Sequence, residues 1–199
     1  MCMKKLSLFS VLLFLFVLAK AQQTYEDSLH DFIADYIKKH EVVKGKDKKH
    51  LQFYPVTENY RVRASFKPEQ NSPWFKMATS GTLKPFYRIY GTLTFTVKDT
   101  TAILHIYQSQ NLMQSEKYKE HLFIPFTDMT SGEETYEGGR YLDLNISDIQ
   151  NDQFVIDFNK AYNPYCAYVS NIYNCPLPPK ENQLQLFIEA GEKKYYRTH

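Results

Sequence analysis

Charge of one sign is missing from this chain: 24 Lys and Arg stand against 22 Asp and Glu. A chain so balanced carries no electrostatic footprint for nucleic acid, so no nucleic-acid partner is expected. The one basic cluster, Lys44 to His50, is interrupted by Asp47 and reads as a solvated linker rather than a polyanion patch. Catalytic signatures are missing too. There is no GxxxxGK[ST] phosphate loop and no G-x-S-x-G elbow, so nothing spells a nucleotide enzyme or a serine hydrolase. Neither CxxC nor HxxxH spacing occurs, so no metal and no cofactor is expected. No internal repeat, low-complexity tract or interdomain linker breaks the chain.

Long apolar runs are confined to the N-terminus. Lys4 and Lys5 precede a 13-residue run, Leu6 to Leu18, broken only by Ser7 and Ser10, and Ala19-Lys20-Ala21 follows. That order reads as a secretory signal peptide over residues 1–21, too short for a comfortable membrane span. An uncleaved anchor is the alternative. Cys2 lies ahead of the apolar run, so it is no lipid-acceptor cysteine. Removing residues 1–21 takes away Lys4, Lys5 and Lys20, which moves the formal charge from +2 to −1 and leaves 178 residues. The expectation is an exported protein, periplasmic or extracellular, with one β-rich domain over 22–199 and no stable membrane span after cleavage.

What the chain has in quantity is aromatic surface: 16 Tyr and 14 Phe against one Trp. Tyr suits half-buried sheets because its ring packs while its hydroxyl stays wet. Tyr25, Leu29, Phe32, Ile33, Tyr36 and Ile37 recur at helical spacing, and Thr24 with Asp27 resembles a capping box that would start that helix. After residue 50 the period becomes two. Tyr60–Phe66, Leu93–Val97, Leu142–Ile146, Phe154–Phe158 and Leu184–Ile188 all alternate, and Lys98-Asp99-Thr100 reads as a hairpin turn into Ala102–Tyr107. The predicted class is mainly β, an antiparallel meander closed as a barrel or sandwich, with one N-terminal amphipathic helix.

Two segments carry the candidate chemistry. In Thr127–Arg140 a Gly138-Gly139 pair precedes Arg140, a side chain suited to gripping a carboxylate or phosphate; a turn whose Arg pairs with a nearby acid is the plainer reading. In Asp157–Pro179, Asp157 and Asn159 fall on the outward phase of a strand and lead into an Asn/Tyr/Pro loop. Ordered loops of this make-up are where binding usually sits. Cys166 and Cys175, nine positions apart, read most simply as a disulfide in an oxidising compartment. A metal pair, or a nucleophile partnered by His105 or His121, are the alternatives.

With FYPVTENYRV near residue 53, FKMATSG from Phe75, YRIYGTLTF from Tyr87, HLFIPFTDMTSGEETYEGGRYLDL from His121 and the long motif from Ile156 to Lys193, the chain closely resembles domain-of-unknown-function family 1684 over about 51–193. The resemblance implies little chemistry, since the family has no established activity. It directs attention to Tyr136, Arg140 and Tyr141, and to Asp157, Asn159, Tyr162, Asn163, Cys166, Cys175 and Asn182. Of these, Tyr136, Arg140, Asp157, Asn159, Tyr162 and Asn163 are the ligand-binding candidates. Three functions fit: a binding module for a small polar or amphipathic ligand, a hydrolase using Asp157 as general base and Arg140 as anion holder, or an envelope protein whose motifs serve only the fold.

Overall fold

A computed structural model describes residues 23–196, so the leader pattern lies outside the described residues. Two compact units are present. The first is helix α1, residues 23–39, braced along its length by Gln23 to Asp27 and Lys39 to Asp35 contacts at i,i+4 spacing. Because Gln23 is already helical, Thr24 and Asp27 sit inside α1 and do not start it, contrary to the capping-box expectation. Among the described residues no helix is long and apolar enough to cross a membrane.

The second unit, from His40, is built on seven strands: β1 (Arg61–Pro68), β2 (Phe75–Lys76), β3 (Phe86–Val97), β4 (Thr100–Ser109), β5 (His121–Phe126), β6 (Arg140–Asn145) and β7 (Gln153–Asp157). They form one antiparallel sheet in the order β6-β5-β4-β3-β1-β7, with β2 added beside β3, curled as a half-barrel. The concave face holds the main core, including Leu93, Phe95, Leu104, Ile106, Leu122, Ile124, Ile156 and Phe158. The Lys98-Asp99 hairpin turn has both residues at positive φ, 46° and 66°, the backbone that a two-residue turn matched to sheet twist requires.

The opposite face is also occupied. Met77, Tyr87, Tyr107, Phe123 and Tyr141 form a second buried cluster, so the Tyr-rich composition serves a second layer of packing. Tyr87 and Ile89 pack in that second cluster, while Leu93, Phe95 and Val97, of the same parity, belong to the main core. A bulge between Ile89 and Gly91 makes the switch, because one extra residue moves every later side chain to the other face. Gly91 has no substitute there: a Cβ would lie 2.4 Å from the Phe66 ring and 2.6 Å from the Lys67 carbonyl.

Two local expectations need correction. Leu184–Ile188 alternates but forms no strand; its chain makes single bridging bonds, Leu184 N–H to Thr127 O and Met129 N–H to Leu186 O. The basic cluster is not an open linker but a 3-10 turn, Gly45–His50, that buries none of its residues.

Candidate functional site

Curling the sheet brings its two edge strands, β6 and β7, toward one another without a ladder between them. One end of this seam is stitched by reciprocal backbone bonds between Tyr141 and Tyr162, 2.9 and 3.1 Å. Beyond the stitch lies a groove of about 370 Å³. Its floor is Ile124, Leu142, Leu144 and Phe154; its rim carries Asp143, Asp148, Asp157, Lys160 and Gln150. The connection between β6 and β7 is tightly specified. Asn145 and Asp148 form a capping box, with the Asn145 N–H donating to Asp148 at 2.7 Å. Asn151 and Asp152, at φ 50° and 57°, then make the two-residue turn into β7.

The rim carboxylates are oriented. Asp143 accepts from Tyr162 Oη at 2.8 Å and meets His121 Nε2 at 3.0 Å. Asp157 accepts from the Asn159 backbone and side-chain nitrogens at 3.2 and 3.0 Å, and stands opposite Arg61 in the β1–β7 ladder. Three carboxylates against one ammonium leave the lining with an excess of two negative charges over an apolar floor. Such a surface suits an apolar body with a cationic or hydrogen-bond-donating head.

The sequence-predicted residues do not converge. Asp157 lines the seam groove and Tyr162 reaches it through Asp143. Tyr136 lines a different groove. Arg140 is completely buried, and it pairs with Asp128, not Asp157. Its Nη2 donates to Asp128 at 2.8 Å and to the Ile188 carbonyl at 2.9 Å; Nη1 donates to the Ala190 carbonyl, and the guanidinium lies 5.4 Å from the Phe126 ring centre. Gly139, at φ 87°, supplies the turn that delivers Arg140 inward. An Arg so enclosed presents nothing to a ligand or substrate.

Asn159 and Asn163 are likewise committed inside. Asn159 donates to the Thr57 carbonyl at 2.8 Å and accepts its N–H at 3.2 Å, pinning the chain that enters β1. The 3-10 turn Phe158–Lys160 breaks the outward phase expected for Asn159. Asn163 donates to the Lys193 carbonyl at 2.8 Å, and its N–H donates to buried Glu192 at 2.9 Å. Asn182 works as a splint: it accepts from His105 N–H at 2.7 Å and donates to the His105 and Pro125 carbonyls at 2.9 and 2.8 Å. It thus joins β4 to β5, which otherwise register only through Tyr107 and Phe123. The plainer reading of Thr127–Arg140, an Arg paired with a nearby acid, is met by Asp128. Sequence reasoning missed Asp143 and Glu192. Only Asp143 carried a local signal, its outward phase between Leu142 and Leu144.

Cys166 and Cys175 are joined in a disulfide, Cα–Cα 6.3 Å, so neither is paired with His105 or His121. Beside Cys166 lies the second groove, about 680 Å³, lined by Tyr136, Ser80, Gly81, Thr82 and residues 170–174. Among the described residues no group of three or more His, Cys, Asp or Glu could hold a metal ion.

The model of the family described as "Protein of unknown function (DUF1684)" matches residues 46–193. The chain belongs to this family. All seven strands, the seam groove, the Arg140–Asp128 pair and the disulfide fall within the DUF1684 span. The fold is similar to the solution NMR structure of an uncharacterized protein from Haloarcula marismortui, at 28% identity and TM-score 0.64, covering 86% of this chain and 97% of that one. No curated protein matches the chain.

Proposed function

We propose that this DUF1684 protein is exported and binds a small amphipathic molecule in the seam between β6 and β7, with the cationic or donor-rich end of the ligand at the rim. The observation that carries the reading is the acidic rim of Asp143, Asp148 and Asp157 over the floor of Ile124, Leu142 and Leu144. The Lys/apolar/Ala-Lys-Ala pattern of the leader and the disulfide support export. Octylamine and octanoate, equal in chain length and opposite in charge, test it by thermal shift. Octylamine should raise Tm as a ligand of the folded state does, by about 2.7 kcal/mol of stability at a hundredfold excess over its Kd. Octanoate should leave Tm unchanged, and Asp143→Asn with Asp148→Asn should erase the difference. Equal shifts by both compounds, or none by either, would sink the reading.

The second reading is a protein whose motifs serve the fold alone. It is favoured by the burial of Arg140, Asn159, Asn163 and Asn182, each spent on tying distant chain segments together. A hydrolase built on Asp157 and Arg140 loses its anion holder to the Asp128 pair.

A further inference from the structure

The two sulfurs of the disulfide sit in unlike surroundings. Cys175 is 7% exposed, whereas Cys166 is only half-buried and lines the 680 Å³ groove. The Cys166 backbone N–H donates to Cys175 Sγ at 3.2 Å. Ser80 Oγ stands 3.1 Å from Cys166 Sγ and accepts from the Cys175 N–H at 3.1 Å, and the Tyr173 carbonyl lies 3.6 Å from Cys166 Sγ. One sulfur is therefore open to attack from the groove, and the other is a leaving sulfur already facing a hydrogen-bond donor.

We propose that this bridge is a thiol-exchange site, whose co-reactant is a low-molecular-weight thiol bound in the groove of Tyr136, Thr82 and Asn174. The thiolate attacks Cys166 Sγ; the S–S bond breaks and its electron pair goes to Cys175 Sγ. A mixed disulfide forms at Cys166, and the Cys175 thiolate accepts from the Cys166 N–H. Such donation lowers the basicity of the leaving sulfur, which speeds its departure. A second thiolate then attacks the small thiol's own sulfur in the mixed disulfide and releases the Cys166 thiolate. The bridge takes up two electrons, the two small thiols are oxidised to their disulfide, and their two protons end on the protein cysteines. Tyr173 O or Ser80 Oγ is placed to accept from the reduced Cys166 thiol, so the open state has partners in place. In the reverse direction the two cysteine thiols reduce a low-molecular-weight disulfide and re-form the bridge. The inference stands on the disulfide groove and is independent of the seam.

The test uses wild-type protein in glutathione redox buffers, quenched with acid and mapped by peptide mass spectrometry while circular dichroism follows the fold. The glutathione adduct should sit on Cys166 at least tenfold in excess over Cys175, with the native spectrum retained. Of the single variants, the Cys166 thiol left by Cys175→Ser should react with Ellman's reagent at least tenfold faster than the Cys175 thiol left by Cys166→Ser. Equal labelling of both cysteines, or reduction that occurs only as the fold melts, would overturn the proposal. The wild-type mapping decides the matter if a variant does not fold.

Discussion

Arg140→Met replaces a buried cation with an unbranched apolar side chain. Both members of the Arg140–Asp128 pair are fully buried, and the guanidinium also serves the carbonyls of Ile188, Ala190 and Glu192. Truncation leaves the Asp128 carboxylate in the interior with no cation, its remaining donors being Thr130 and the Ile188 N–H. Removing one partner of a buried ion pair costs about 3–5 kcal/mol, because the survivor stays desolvated without its attraction. At about 2–4 °C per kcal/mol for a domain of this size, Tm should fall by roughly 6–20 °C. Adding Asp128→Asn should restore part of that loss, with a coupling of about 1–3 kcal/mol in a double-mutant cycle. Calorimetry of the four proteins gives each number directly. If Arg140→Met melts within 2–3 °C of wild type, the guanidinium is not holding the fold, and an anion-binding role for Arg140 returns.

Three further outcomes are expected. Burial holds the His40 pKa below its ordinary value of 6.5, aided by Lys48 and Lys44 and opposed by Glu41, while the Val43 N–H donates to its Nδ1 at 2.9 Å. The unfolded chain therefore takes up that proton first as pH falls. The contribution is complete above about 6.5 and is lost below it as pH drops through the folded-state value. Tm should thus fall between pH 7.5 and 5.5, and an unchanged slope in His40→Gln would show that other groups carry it. Replacing both Cys166 and Cys175 by Ser should cost about 2–3 kcal/mol for a loop this short, read as a lower denaturant midpoint; no change would mean the loop is held by its hydrogen bonds alone. Mass spectrometry of protein from its native host should find a chain beginning at Gln22, and an intact Met1 would remove the case for export.

Where the deciding interaction is local, the chain was legible. The alternation of Leu93, Phe95 and Val97 marks a strand because neighbouring side chains on a pleat must point to opposite faces. Asn151-Asp152 turns where short polar residues tolerate positive φ, and Lys98-Asp99 turns between the two strands it joins. The nine-residue cysteine spacing likewise pointed to its own bridge. His121–Phe126 does not alternate, since five of its six residues are buried across both faces, and no period-two signal marked β5. Leu184–Ile188 has the period of a strand and no ladder to join, because pairing depends on a neighbour that the segment itself does not contain. Arg140 shows the same division most sharply. Its residue type and the glycines before it state a cation after a tight turn. Its partners are the carbonyls of residues 188, 190 and 192, about fifty positions away, and Asp128 across the same turn. Local pattern determined that Arg140 would be delivered somewhere definite. Only the packing of the chain's last quarter against β6 decided that the place is dry, and a cation in a dry site, both its terminal nitrogens held by carbonyls and a carboxylate, holds the fold together instead of meeting a ligand.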